Sequence, residues 1–139
     1  MTKLLIIGSG GREHAIGIAL KQSDKNPTLY FAPGNAGTAL LGTNIAINAA
    51  DINGLLSFAK ETNIDMTIVG PEDPLVMGIV DTFQKENLTI FGPNKLAAQL
   101  EGSKKWAKQL MKNYNIPTAN YHAFTDYEKA KDYIKANNQ

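Results

Sequence analysis

The chain has 139 residues, of which 43% are hydrophobic and 19% are charged, and these proportions are typical of a folded globular protein rather than a disordered one. Its formal net charge of +1 excludes a global attraction to nucleic acid or to an anionic membrane, so any bound anion must be held by a local site. The absence of cysteine excludes disulfides and thiolate catalysis, and the presence of only two histidines excludes a histidine-rich metal site.

Short apolar runs recur through the first hundred residues, and each ends at a glycine, a proline or a polar turn. They predict buried strands, which cover residues 4–7, 28–32, 45–47, 66–69 and 89–91. Helical patterns separate these runs. The alternation predicts an α/β fold, namely an open, mostly parallel sheet with helices on both faces.

The helices between the strands are indicated by apolar residues spaced three and four positions apart. Asp51 is expected to N-cap the second helix, and Asn94 is expected to N-cap the fourth. Asp73 is expected to N-cap the third, a helix that begins at Pro74 and buries one apolar stripe as far as Phe83.

The pattern changes in the last third of the chain. Ser103 is expected to N-cap an amphipathic helix, and Thr125 and Glu128 form the capping-box pattern that opens a last helix. No further buried strand follows to complete a second sheet. We therefore expect residues 1–101 to form one domain and residues 102–139 to be the incomplete beginning of another.

A glycine-rich turn joins the first strand to the first helix. Gly8, Gly10 and Gly11 let the backbone approach a ligand closely, and the N–H groups of a helix N-terminus favour an anion such as a phosphate. A turn that serves only tight packing of strand on helix is the alternative. The dinucleotide fingerprint fails, because Glu13 stands where its third glycine belongs and Pro33 stands where an acidic residue would end the second strand.

Three chemically active side chains follow in the first turn of this helix. Arg12 can hold a phosphate or a carboxylate in fork geometry. Glu13 has two open interpretations, as a ligand contact or as a charge that complements the helix dipole. His14 lies at the mouth of the same turn, where a structural role is favoured over catalysis.

Further loops with ligand-binding character follow the second and fourth strands. Gly34, Asn35 and Gly37 supply backbone donors suited to phosphate or ribose oxygens. Glu72 follows the fourth strand and is expected to project from the same edge of the sheet. Because the carboxyl ends of parallel strands share one edge, we expect these loops and the glycine turn to line a single crevice.

Taken together, these motifs resemble one family. The segments that carry the resemblance are 7–15, 32–38, 67–72, 74–76, 91–93, 98–104 and 116–119. They are similar, in order along the chain, to the N-terminal part of glycinamide ribonucleotide synthetase, also called phosphoribosylamine–glycine ligase. The resemblance implies a Rossmann-like domain of the pre-ATP-grasp type, joined near Leu100 to an ATP-grasp domain.

The resemblance also implies an activity and a set of site residues. The reaction joins glycine to 5-phosphoribosylamine as ATP is converted to ADP and phosphate, with glycine activated as an acyl phosphate, in the second step of purine synthesis. The implied substrate-binding residues are Gly8, Gly10, Gly11, Arg12, Glu13, Pro33, Gly34, Asn35, Gly37 and Glu72. Lys104 is implied to reach the phosphates of ATP.

Members of this family are much longer chains, and the resemblance implies that the main ligands of ATP and Mg²⁺ lie beyond residue 139. No catalytic residue and no metal ligand is expected within the chain, which is expected to be inactive alone. The absence of a signal peptide pattern and of a long apolar run predicts a cytoplasmic protein without nucleic-acid or membrane partners.

The expected oligomeric state differs between the whole enzyme and this chain. The full-length enzyme is expected to be a monomer. This chain is expected either to fold its tail back or to self-associate through an apolar stripe, which consists of Trp106, Leu110, Met111 and Tyr114.

Two other functions are compatible with the sequence. The first is a free-standing nucleotide- or sugar-phosphate-binding module without chemistry. The second is a nicotinamide-dependent oxidoreductase, which Glu13 and Pro33 disfavour.

Overall fold

The computed structural model describes residues 1–137, which divide into two compact units. The first unit, Met1–Gly102, contains the sheet and the helices that cover it. The second unit begins at Ser103 and contains two helices in its described part. Within residues 1–137, no helix combines the length and the apolar character needed to cross a bilayer.

Five parallel strands form the sheet of the first unit. They are β1 (Lys3–Gly8), β2 (Thr28–Pro33), β3 (Thr43–Asn44), β4 (Met66–Val69) and β5 (Ile90–Phe91). Their order across the sheet is β3-β2-β1-β4-β5, so β1 lies at the centre. The chain first builds outward from β1 to β3 and then crosses back to β4, which places a topological switch point at the carboxyl ends of β1 and β4. The predicted open parallel sheet is confirmed.

Helices pack on both faces of this sheet. They are α1 (Gly11–Lys21), α2 (Ile52–Thr62), α3 (Glu72–Met77), α4 (Ile79–Lys85) and α5 (Lys95–Gly102), with a short 3-10 helix at Thr38–Leu40. On one face, Leu4, Ile6 and Phe31 form a core that α1 covers. On the other face, Leu5 and Ile7 join the larger core beneath α2 and α4. Because β1 is buried on both faces, it needs an uninterrupted apolar run.

The third strand lies at Thr43–Asn44 rather than at residues 45–47, so that prediction is wrong. The two residues of β3 pair with Tyr30 and Phe31 of β2. Ile45 and Ile47 are instead half-buried against the larger core. The N–H of Ile45 still donates to the carbonyl oxygen of Phe31 at 2.8 Å, but Ile45 and Ile47 lie outside the strand, and their apolar character reflects packing against the core.

The single helix predicted from Pro74 to Phe83 is two helices. Gly78 adopts φ +99° between α3 and α4, a left-handed conformation that ends the first of them. The prediction that Asp73 is the N-cap is also wrong, because α3 begins two residues earlier than predicted, at Glu72, and its N-cap is Pro71. Asp73 lies in the first turn, where its charge complements the helix dipole.

The N-caps predicted for α2 and α5 are confirmed. Asp51 Oδ1 accepts a hydrogen bond of 3.0 Å from the N–H of Gly54. Asn94 Oδ1 accepts one of 2.9 Å from the N–H of Ala97. Each cap satisfies one of the N–H groups that the first turn of a helix leaves without a partner.

The second unit contains two helices in its described part. They are α6 (Lys104–Asn113) and α7 (Tyr127–Asn137). The predicted cap of α6 is confirmed, because Ser103 Oγ accepts a hydrogen bond of 3.3 Å from the N–H of Trp106. The cap of α7 is Asp126, whose Oδ1 accepts a hydrogen bond of 3.1 Å from the N–H of Lys129. The capping box predicted to start at Thr125 is therefore wrong, because the side chain of Lys129 has no acceptor with which to complete one.

Candidate functional site

A cavity of about 430 Å³ lies at the carboxyl ends of β1 and β4. It is lined by Gly8, Ser9, Gly10, Gly11, Arg12, Glu13, Ala49, Pro71 and Glu72. This is the switch point of the sheet, where the connections that leave β1 and β4 diverge and open a crevice. The residues predicted from the glycine turn and from the loop after β4 are therefore brought together.

The side chain of Glu13 is buried beneath the glycine turn. The residue is only 4% exposed, and its Oε2 atom accepts a hydrogen bond of 2.6 Å from the N–H of Gly10. A Cβ atom at Gly8 would lie 2.6 Å from Cδ of Glu13, and one at Gly70 would overlap its Oε1 atom. The missing side chains at Gly8 and Gly70 thus make room for the carboxylate of Glu13. The carboxylate therefore lies at the helix N-terminus, where its charge complements the helix dipole, and its contact with a ligand stays a prediction.

Arg12 links the start of α1 to the loop after β4. Its Nη1 atom donates a hydrogen bond to the carbonyl oxygen of Gly70, while the residue itself is exposed and lines the cavity. A guanidinium carries five N–H donors, so this bond leaves others for an anion. The same cavity carries the carboxylates of Glu13 and Glu72, and Glu72 is exposed. The charge pattern suits a ligand with both an anionic group and hydroxyl or amine donors.

The first turn of α1 offers backbone donors to the cavity. Among the described residues, none accepts a hydrogen bond from the N–H groups of Gly11 and Arg12. A Cβ atom at Gly11 would meet nothing within 4 Å, so the turn is open on that side. Unpaired N–H groups at a helix N-terminus favour an anion.

The loop after β2 is held together by its own hydrogen bonds. Asn35 Oδ1 accepts from the N–H groups of Gly37 and Thr38 at 2.8 and 3.0 Å. The hydroxyl of the fully buried Thr38 donates to the carbonyl of Asn35 or to Asn44 Oδ1, at 2.9 and 2.8 Å. Asn35 Nδ2 also donates to the carbonyl oxygen of Ser9 at 2.8 Å, which ties this loop to the glycine turn.

Four of the predicted site residues do not line the cavity; they are Pro33, Gly34, Asn35 and Gly37. The N–H of Gly34 donates to the carbonyl of Gly8 at 3.1 Å, and Gly37 packs against the imidazole of His14. The polar groups of this loop are largely used within the protein, which is why it supports the glycine turn without entering the cavity. Contact between these four residues and a substrate stays a prediction.

The remaining predicted residue belongs to the second unit. Lys104 is exposed and is the first residue of α6. Its contact with ATP stays a prediction. In the part of the chain that the structure describes, no three histidine, aspartate or glutamate side chains are grouped so that they could hold a metal ion.

Sequence reasoning did not assign three residues that line the cavity, namely Ser9, Ala49 and Pro71. Ser9 and Pro71 lie inside the two motifs that were already indicated. Ala49 follows β3 by several residues, and a small apolar side chain in a connecting segment carries no chemical signal of a site.

The sheet order and the glycine turn at its switch point define a Rossmann-like α/β domain. Two family descriptions match the chain. "Phosphoribosylglycinamide synthetase, N domain" matches residues 2–101, and "Phosphoribosylglycinamide synthetase, ATP-grasp (A) domain" matches residues 102–139. The chain belongs to the phosphoribosylglycinamide synthetase family.

Curated relatives of the chain carry the name phosphoribosylamine–glycine ligase. The relative from Halalkalibacterium halodurans is 53% identical over 133 residues, which cover 96% of this chain and 31% of the relative. The relative from Yersinia pestis is 54% identical over 134 residues, which cover 95% of this chain and 31% of the relative. The chain therefore spans slightly less than a third of the length of these relatives.

Solved structures agree with the expected fold. The phosphoribosylamine–glycine ligase from Thermotoga maritima has a TM-score of 0.67 and 33% identity, and the match covers 97% of this chain and 30% of that one. The N5-carboxyaminoimidazole ribonucleotide synthetase from Thermus thermophilus has a TM-score of 0.71 at 17% identity, covering 96% of this chain and 36% of that one. The second likeness concerns the fold alone. The expected α/β domain followed by the start of an ATP-grasp domain is confirmed.

Proposed function

We propose that the chain is the N-terminal part of a phosphoribosylamine–glycine ligase, which joins glycine to 5-phosphoribosylamine as ATP is converted to ADP and phosphate. Residues 1–101 would form the N-terminal domain and residues 102–139 the beginning of the ATP-grasp domain. The observation that carries the proposal is the cavity at the ends of β1 and β4, in a chain 53% identical to a protein with this name.

The chemistry of the cavity suits 5-phosphoribosylamine. The N–H groups of Gly11 and Arg12, with the free donors of the Arg12 guanidinium, can donate to the phosphate or to the ribose oxygens. Glu72 can accept hydrogen bonds from the ribose hydroxyls or from the amine. The role of these residues is to bind and orient the sugar, so that its nitrogen can attack the activated glycine.

The proposed cofactors are ATP and Mg²⁺, whose main ligands would lie beyond residue 139. ATP supplies the phosphoryl group that activates the carboxylate of glycine. Within this chain, only Lys104 is assigned to ATP, as a contact of its phosphates. We further propose a cytoplasmic enzyme with small-molecule substrates and without nucleic-acid or membrane partners.

Self-association of this chain is proposed to involve the apolar stripe of α6. Tyr114, which follows the helix, is 72% exposed, whereas Trp106, Leu110 and Met111 are half-buried. Light scattering over a concentration series measures the effect. A mass that rises with concentration supports it, and a constant monomer mass contradicts it.

Binding of ribose 5-phosphate, a stable analogue without the amine, tests the proposed site in the 139-residue chain. Arg12→Ala removes a charge-assisted contact of about 1.5–3 kcal/mol, so calorimetry should show affinity weakened about 10- to 150-fold. Glu72→Ala, which removes the acceptor of the ribose hydroxyls, should also weaken binding. Asp73→Ala is the matched control, because Asp73 is the exposed neighbour of Glu72 and does not line this cavity. Unchanged affinity in both Arg12→Ala and Glu72→Ala would place the sugar elsewhere.

The reaction itself is tested in a longer chain that includes the rest of the ATP-grasp domain. Formation of ADP that requires both glycine and phosphoribosylamine supports the ligase. Binding of ribose 5-phosphate without any such turnover favours the alternative, a sugar-phosphate-binding module without chemistry.

A further inference from the structure

We propose that Glu13 determines the ligand specificity of the cavity. Its carboxylate occupies the anion position at the start of α1. As a result, the cavity binds a sugar monophosphate in preference to a dinucleotide. The identity of the preferred ligand rests on the proposed function, whereas the position of the carboxylate does not.

A dinucleotide site uses its glycine turn in a particular way. The second glycine of the fingerprint lets the backbone approach the pyrophosphate, and the third lets helix and strand pack closely. In this chain Gly8 and Gly10 occupy the first two positions and Glu13 occupies the third. The side chain that replaces the third glycine folds back beneath the turn and fills the space at its centre.

The hydrogen bond between Glu13 and Gly10 closes this donor to ligands. Its length of 2.6 Å is that of a strong, charge-assisted bond, and the carboxylate that accepts it is buried. A ligand phosphate at the same N–H would lie in contact with a buried group of like charge, and such like-charge contact disfavours binding. The N–H groups of Gly11 and Arg12 are not used by Glu13.

The donors that Glu13 leaves free limit the size of the anion that can bind. A single phosphate can be held by the N–H groups of Gly11 and Arg12 and by the guanidinium of Arg12. A diphosphate that spans the turn also requires the N–H of Gly10, which Glu13 occupies. Removal of the Glu13 side chain would leave a pocket between Gly8, Gly10 and Gly70 of the size of a carboxylate, with a free donor at its base.

Backbone amide signals from NMR of the 139-residue chain test the proposal. The variants are Glu13→Ala, which removes the acceptor, and Glu13→Gln, whose amide oxygen can still accept from Gly10. The probes are inorganic phosphate, ribose 5-phosphate and ADP-ribose. In the wild-type protein, phosphate should shift the signals of Gly11 and Arg12 but leave that of Gly10 in place.

In Glu13→Ala the Gly10 signal should move in the free protein and should respond to phosphate. Affinity for ADP-ribose should rise by at least about tenfold relative to wild type, because the like-charge contact is gone. In Glu13→Gln the Gly10 signal should stay unresponsive to phosphate, because the amide oxygen still accepts from this N–H, which a general packing defect would not reproduce.

A Gly10 signal that responds to phosphate in the wild-type protein overturns the proposal, as does an unchanged ADP-ribose affinity in Glu13→Ala. If Glu13→Ala does not fold, the wild-type phosphate response and the Glu13→Gln signal decide it. If the wild-type chain binds no ribose 5-phosphate, the proposed function fails. The role of Glu13 is then still tested by the response of the Gly10 amide signal to inorganic phosphate in Glu13→Ala.

Discussion

Replacement of Gly70 by alanine tests the packing of Glu13 directly. Gly70 is buried at the end of β4, and an added Cβ atom would overlap Oε1 of Glu13 and lie 2.5 Å from its Cδ atom. The carboxylate cannot move aside without stretching its 2.6 Å hydrogen bond to Gly10. Overpacking of a close-packed site costs about 1–3 kcal/mol. Expulsion of the carboxylate would add the loss of a hydrogen bond to a charged group, about 1.5–3 kcal/mol.

Gly70→Ala is therefore expected to destabilise the first unit by at least about 2 kcal/mol, a fall in Tm of roughly 8–16 °C for a domain of this size. Circular dichroism melts of the 139-residue chain measure the effect, and the Gly10 amide signal shows whether the carboxylate has moved. Gly11→Ala is the matched control, because its Cβ atom would meet nothing within 4 Å and should be neutral or stabilising by up to about 1 kcal/mol. A Gly70→Ala melt within about 2 °C of wild type, with an unchanged Gly10 signal, would refute the packing argument.

Three further changes are expected to reduce stability in urea denaturation. Asp51→Ala removes the acceptor of the Gly54 N–H and should cost about 1 kcal/mol, and an unchanged midpoint would show that this cap contributes nothing. Thr38→Val removes a buried hydroxyl that bonds within its loop and should lower the free energy of unfolding by about 1–3 kcal/mol. The backbone amide of Asn35, which donates to this hydroxyl, should exchange its hydrogen faster, and an exchange rate equal to wild type would contradict the expectation. Gly78→Ala forces a side chain onto φ +99° and should cost about 1–2 kcal/mol, whereas equal stability would mean that the break between α3 and α4 relaxes freely.

The central strands could be predicted from sequence because burial on both faces leaves a distinctive composition. Along β1, Leu5 and Ile7 enter one core, and Leu4 and Ile6 enter the other. Such a strand has no polar positions and reads as a continuous apolar run. The cap at Asp51 could be predicted for a different reason, since its signal depends only on the residues that follow it.

The position of the third strand could not be predicted, because its residues are not the apolar ones. Thr43–Asn44 form the strand and are exposed, whereas Ile45 and Ile47, which follow it, pack against the core. The break at Gly78 was hidden in a similar way. Buried residues continue on both sides of it, and only the positive φ of one glycine interrupts the helix.

The location of the candidate site followed from topology, but its internal bonding did not. Parallel strands fix which loops share an edge, and this brings the glycine turn to Glu72. The loop that contains Asn35 was expected to bind a ligand because its residues are polar, whereas most of those polar groups bond to one another. The burial of Glu13 did have a sequence signal, an acidic residue three positions after the N-cap Gly10, as in a capping box.

Two adjacent residues of α1 hold the loop after β4 in place. Arg12 donates to the carbonyl of Gly70, and the side chain of Glu13 packs against the same glycine. The loop cannot move without disturbing the first turn of α1. Because Glu72 follows Gly70 by only two residues, the spacing between the donors on α1 and the carboxylate of Glu72 is set by bonds within the protein. Such preorganisation lowers the cost of binding, so the proposed site would select a ligand by the distance between its anionic group and its hydrogen-bond donors.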